Sequence, residues 1–170
     1  MRTAVEKALE ELVDVVPAGV DGFYYQGQEL KDKKCKEVEA FKVIDTLHKL
    51  YAVLRKSWSS STAYKSCQSE WVSEDPSYGQ CAITATLVYD MFGGSIHRIR
   101  VEGGGAHYFN KITGQYVDLT REQFDLYNIE VAYEPNETMQ REYCCKNSDT
   151  NARYRQLQRN IIAYLKNNED

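Results

Sequence analysis

The feature that most constrains this chain is a helix that begins on a cysteine. Turn-forming residues run through Glu74-Asp75-Pro76-Ser77-Tyr78-Gly79, and then Gln80 to Phe92 contain neither proline nor glycine. Gly93-Gly94 follows, where a C′ glycine ends a helix. Cys81 therefore falls in the first turn of the helix. Ala85, Val88 and Phe92 follow it at helical steps, an apolar stripe that buries the helix against a core. A thiol at this position sits among unsatisfied backbone N–H groups at the positive end of the helix dipole. Both lower a cysteine pKa.

A hairpin supplies the partners that a nucleophilic thiol needs. Around Thr113-Gly114, the segments Ala106 to Ile112 and Gln115 to Leu119 read as two strands. An even-length loop centred there pairs Ile112 with Gln115 and Phe109 with Asp118. Strand side chains alternate, so His107 shares the face of Phe109 and is the diagonal neighbour of Asp118, at roughly 7–8 Å between backbones. Side chains of that length close the gap. A carboxylate on one imidazole nitrogen leaves the other to take a thiol proton, so Cys81, His107 and Asp118 are the candidate catalytic residues. Each has a plainer explanation: a buried cysteine is usually a small hydrophobe, and Asp118 before Leu119-Thr120 could cap the next helix. Their conjunction favours the triad.

Length suits a single domain over 1–170, and 42% hydrophobic with 27% charged residues is ordinary globular composition. A net charge of −4 argues against a general nucleic-acid or anionic-membrane surface, which needs clustered Lys and Arg. No unbroken apolar segment reads as a signal peptide or membrane span. Five cysteines without secretory features fit a reducing compartment, and the expected location is the cytoplasm. The pair Cys144-Cys145 lacks CxxC spacing, so neither a metal nor another cofactor is expected. Cys35 and Cys67, in polar surroundings, read as bystanders.

Residues Thr3 to Val16 read as a helix ended by Pro17-Ala18-Gly19. Gly22 to Leu30 reads as a small hairpin around Gln26-Gly27 or as a linker, with Phe23-Tyr24-Tyr25 burying part of it. From Cys35 to about Lys56 the apolar positions Val38, Phe41, Ile44, Leu47, Leu50, Val53 and Leu54 predict one long helix. His48 lies near that stripe as a surface or partly packed side chain. Ser66 to Gly79 reads as a loop containing Trp71, and Ser95 to Val101 as a strand with one buried face, in which His97 is the second-choice base. Gly103-Gly104-Gly105 lacks the Gly-Lys-Ser/Thr of a phosphate loop and serves as a tight bend before His107. Thr120 reads as the N-cap of a helical turn, with Gln123 as its partner. Asn136-Glu137-Thr138 matches a glycosylation acceptor that has no meaning without secretion. A last helix spans Thr150 to Lys166, with Tyr154, Leu157, Ile161 and Leu165 on one side.

The residues Trp58-Ser59, Asp75-Pro76, Gly79 to Ala85, Phe92-Gly93-Gly94, His107-Tyr108, Val117 to Phe124 and Thr150 to Tyr154 resemble the YunG-like family of largely uncharacterised bacterial proteins. The resemblance makes 38–166 the family core and 1–37 an N-terminal extension. The order of a helix-borne Cys, a strand-borne His and an Asp on the next strand is also similar to transglutaminase-like proteins of the papain-like fold. That likeness implies an α+β fold in which N-terminal helices and the Cys-bearing helix pack on a small antiparallel sheet. The chain departs from it in two places. Phe109 stands where those proteins often carry tryptophan, and the nearest glutamine, Gln80, adjoins Cys81 instead of preceding it by several residues. The first oxyanion donor is then the backbone N–H of Cys81, with Gln80 or Trp71 as candidates for the second and Tyr108 beside the substrate.

The expected function is cysteine-dependent acyl transfer, as a hydrolase, deamidase or transamidase acting on an amide, isopeptide or thioester bond. Its partner would be a peptide, a protein side chain or a small amide, with no nucleic acid and no membrane. The alternative from another class is a non-catalytic module that holds a peptide or small molecule on the same fold. Thirteen tyrosines are compatible with such a recognition surface. The sequence leaves the oligomeric state open.

Overall fold

The computed structural model describes residues 3–14, 25–101, 105–144 and 146–169. The expectations for Val16, Pro17-Ala18-Gly19, Gly22, Phe23, Tyr24, Gly103, Gly104 and Cys145 lie outside these residues. The chain forms a mixed α+β structure: helices α1 (Ala4–Asp14), α2 (Leu47–Ser57) and α3 (Cys81–Phe92) precede strands β1 (Ser95–Arg100), β2 (Ala106–Ile112) and β3 (Gln115–Val117). After them come a one-turn helix α4 (Glu122–Asp125), strand β4 (Glu137–Met139), a second one-turn helix α5 (Arg141–Cys144) and the long α6 (Ser148–Asn167). The strands form one antiparallel sheet in the order β3-β2-β1-β4.

Local chemistry sets the helix ends. Thr3 and Glu6 make a reciprocal capping box on α1, in which each side chain accepts from the other's N–H at 3.2 and 2.7 Å. Asn147 caps α6 by accepting from the Thr150 N–H at 2.7 Å. Thr46 caps α2 by accepting from Lys49 N–H at 3.2 Å, and this corrects the long helix expected from Cys35. Residues 35–45 hold only a 3₁₀ turn at Glu39–Phe41. Their backbone groups find tertiary partners instead: Cys35 N–H bonds Asp45 O, Lys36 N–H bonds Met91 O, and Lys34 bridges Thr46. Phe41 and Ile44 are buried all the same, because the core needs their side chains and not a helix.

The core is helical. Leu47, Leu50, Val53 and Leu54 of α2, Ile83, Leu87, Val88 and Met91 of α3, and Leu157 and Ile161 of α6 form one cluster, to which the N-terminal segment adds Leu9 and Tyr25. Full burial of side chains this size contributes about 1.5–3 kcal/mol each. α6 packs against both α2 and α3, while α3 also lies on the sheet through Ala85 and Ile96. α3 is thus buried nearly all round, not along one stripe. Its threonines are satisfied in place: Trp58 Nε1 donates to Thr84 Oγ1 at 3.0 Å, and Thr86 Oγ1 donates to Ala82 O at 2.8 Å.

The hairpin has the register read from sequence, with Ile112 opposite Gln115 and Asn110 opposite Val117. Thr113 and Gly114 both take positive φ, as a two-residue turn between twisted strands requires. β3 stops at Val117, and Asp118 instead makes a two-bond bridge to Gln26. The edge of β2 is therefore uncovered by β3 beyond Asn110. β4 was not apparent in the sequence, since Glu137-Thr138-Met139 is too short to show a period. Residues 65–70, in or beside the expected loop, form a 3₁₀ turn.

Candidate active site

Cys81 opens α3, half-buried, on a helix end with no side-chain cap. The first N–H groups of such a helix have no partner within it. Gly79 sets the approach. Its φ is +74°, and a Cβ there would stand 2.9 Å from Cys67 Cβ and 3.1 Å from Tyr64 N, so only glycine lets the loop turn into the helix against its neighbours.

β2 meets the thiol at its open edge. Val101 N–H donates to Gly105 O at 3.0 Å, which fixes the alternation of the β1–β2 ladder and turns the backbones of Ala106, Tyr108 and Asn110 away from β1. The Tyr108 N–H accordingly donates to Cys81. The Tyr108 side chain lies on the other face from His107, packed near Ala85 and Ile96 and bonded to Arg98. Its backbone, then, is the part of Tyr108 that serves the site.

His107 and Asp118 are each 1% exposed, and His107 Nε2 donates to Asp118 Oδ2 at 2.7 Å. His107 Nδ1 is buried without a conventional hydrogen bond, and the side chain it faces electrostatically is Cys81. Burial alone disfavours the imidazolium, but the Asp118 charge and hydrogen bond, with Cys81 behind them, push His107 up to about 10. Burial likewise opposes the thiolate. The hydrogen bond and charge of His107 and the Tyr108 N–H outweigh it, and the Cys81 pKa is lowered. Both shifts run in the direction of a thiolate beside an imidazolium.

Further residues support the Asp118 carboxylate and the His107 ring. Thr120 does not cap α4; its N–H and its hydroxyl both bond Asp118 Oδ1 at 3.2 Å. An Asp bonding the N–H two residues on is a known turn habit, and that spacing could have identified it. Tyr133 donates to Asp118 Oδ2 at 2.9 Å from fifteen residues downstream, where no spacing rule reaches. Phe124 packs its ring edge-on to His107 at 4.7 Å. The candidate second oxyanion donors are engaged nearby: Gln80 accepts from Thr62 Oγ1 at 2.8 Å and donates to Ser59 O at 3.0 Å, while Trp71 Nε1 donates to Pro76 O at 3.1 Å.

His97 lies across Phe109 from His107, bonded to Ser95 at 2.7 Å and Asn136 at 2.9 Å. It has neither the thiol nor a carboxylate as partner. His48 is half-buried and bonded to the Tyr25 hydroxyl at 3.0 Å. Among the described residues, no group of His, Cys, Asp and Glu could hold a metal ion.

Residues 46–166, more than half of the chain, match the family described as YunG protein. The chain belongs to the YunG family. Over 72 residues, 42% of this chain, it is 42% identical to the uncharacterized protein YunG of Bacillus subtilis (strain 168). That match spans 57% of the relative's length. No solved structure matches the chain. The YunG match takes in Cys81, His107, Asp118, Thr120 and Tyr133, and it begins at Thr46, the residue that caps α2.

Proposed function

We propose that this YunG-family protein is a cysteine-dependent acyl-transfer enzyme built on a papain-like, transglutaminase-like plan, with Cys81 as nucleophile, His107 as acid and base, and Asp118 as orienter. The observation that carries this reading is the one buried imidazole that bonds a carboxylate through Nε2 and interacts with the thiol in the first turn of α3. The Cys81 thiolate attacks the carbonyl carbon of an amide, isopeptide or thioester. The carbonyl oxygen gains the charge, and the N–H groups at the start of α3 stabilise it. The tetrahedral species collapses, the leaving amine or thiol departs with the proton of His107, which becomes neutral, and an acyl-thioester remains on Cys81. Water or a second amine, deprotonated by His107, then attacks the thioester and restores the thiolate. Which of the two attacks decides between hydrolysis or deamidation and transamidation.

A polypeptide is the preferred substrate class. Four of the large apolar side chains exposed to solvent, Tyr64, Val72, Leu126 and Tyr127, stand on the segment leading to Cys81 and the segment following Asp118. Two clefts, one including Glu6, Leu9 and Lys49 and one including Tyr89, Ile96 and Arg141, contain no triad residue. Cytoplasmic residence is part of the same proposal, supported by the free thiols of Cys35, Cys67 and Cys81. No helix among the described residues is long and apolar enough to cross a membrane.

The reading is tested by incubating the protein with a panel of peptide thioesters and glutamine-containing peptides and searching Cys81 for an acyl adduct by mass spectrometry. An adduct on Cys81 that disappears in His107→Ala supports it. Tight peptide binding with no adduct on any substrate would favour the binding module instead.

A further inference from the structure

The carboxylate of Asp118 is filled to capacity. An ionised carboxylate offers about four lone-pair directions and can only accept. Oδ1 takes the Thr120 N–H and hydroxyl, and Oδ2 takes His107 Nε2–H and the Tyr133 hydroxyl. Tyr133 therefore shares one oxygen with the imidazole.

The tyrosine is held there by its own scaffold. Its ring packs on Phe109 at 4.8 Å and stacks on Tyr116 at 5.7 Å. Asn136 fixes the backbone beneath it, donating to Tyr133 O at 2.8 Å and to the Tyr116 hydroxyl at 3.2 Å while its Oδ1 bonds His97 Nδ1. His97, the second-choice base, and Asn136, the formal glycosylation acceptor, thus form the anchor of the segment that carries Tyr133.

We propose that Tyr133 is a positioning residue of the site, whose hydroxyl locks the Asp118 carboxylate and moderates the proton affinity of His107. The proposal rests on the triad reading above. The hydroxyl takes a share of the carboxylate charge by donating to the same Oδ2 that holds the imidazole N–H, which weakens the hold of Asp118 on that proton. A proton held less tightly is more readily given to a leaving amine. The Tyr133 hydroxyl keeps its own proton, because burial and the neighbouring Asp118 charge raise its pKa. The other charged groups facing this cluster are Cys81 from α3, Arg121 just before α4 and Asp125 at its end, the last two paired at 3.1 Å.

The test is an NMR titration of His107 in the full chain and in Tyr133→Phe, with Cys81 alkylation followed in parallel. The chain has three histidines, so the ring signals can be assigned by single substitution. Phenylalanine keeps the ring on Phe109 and Tyr116, and the His107 pKa is expected to rise by roughly half a unit to one unit. A folded variant with an unchanged His107 titration overturns the proposal. If Tyr133→Phe does not fold, Asn136→Ala, which frees the segment without touching the triad, must move His107 in the same direction, and no movement there overturns the proposal equally. A His107 shift in a protein whose Cys81 proves inert supports the positioning role while sinking the acyl-transfer reading.

Discussion

Asp118 has no spare acceptor, and that decides how its neighbours behave. A buried carboxylate with a donor on every side stays oriented, so the imidazole beside it is held in one tautomer. Asp118→Asn removes the charge that raises His107 and replaces one acceptor with a donor. We expect His107 to fall back toward its usual value near 6.5 and the alkylation rate of Cys81 at pH 6 to drop by about tenfold or more, with an unchanged circular dichroism spectrum. Asp75, in the loop before Cys81, is the opposite case. It is 5% exposed, its Oδ1 has no partner, and burial, with Glu122 adding to it against the Tyr127 hydrogen bond, pushes it up to about 6. A carboxyl whose folded pKa is raised from the usual 3.8 favours the folded state when protonated and costs stability as pH rises through about 6. Asp75→Asn should therefore raise the melting temperature at pH 7, with the gain disappearing as pH falls toward 4. Calorimetry at both pH values checks it, and a loss of stability at pH 7 would show that the carboxylate is worth more than its burial costs.

The elements that carry the site are the ones with strong local signals. The helix from Cys81 and the hairpin from Ala106 were legible because glycines mark their ends and a two-residue turn fixes the register by counting. The His107–Asp118 pairing followed from that register. What could not be read depends on long-range partners. The helix expected from Cys35 has the right periodicity as far as Ile44, but tertiary backbone bonds to Met91 and Asp45 displace it. β4 exists because β1 offers it an edge, and Tyr133 reaches Asp118 only because the segment before β4 folds back over the sheet. The approach loop is an element-scale requirement too. Gly79→Ala forces a Cβ into Cys67 and Tyr64 at positive φ, at a cost of about 1–3 kcal/mol, and it should slow Cys81 alkylation beyond what the stability loss accounts for. Urea denaturation and alkylation of the same variant measure the two effects, and a stable variant with normal thiol reactivity would remove Gly79 from the account.

At the scale of the molecule, the family match begins at Thr46, yet the structure does not divide there. Leu9 and Tyr25 sit in the same core as α2, α3 and α6, and Gln26 bridges Asp118 by two backbone bonds while accepting from Arg121 at 2.7 Å. Removing residues 1–37 should lower the melting temperature sharply and weaken the Cys81 response. A truncated chain as stable and as reactive as the full one would make that segment a dispensable extension. The central question is whether the thiol at the head of α3 is activated by the imidazole on β2. Alkylation with iodoacetamide across about pH 5 to 9, with the labelled cysteine mapped by mass spectrometry in the full chain and in His107→Ala, tests that directly. The account predicts that Cys81 labels first, well below the ordinary thiol pKa of about 8.5, and that the early labelling is lost without His107. Cys81 staying inert while Cys35 or Cys67 reacts would contradict it.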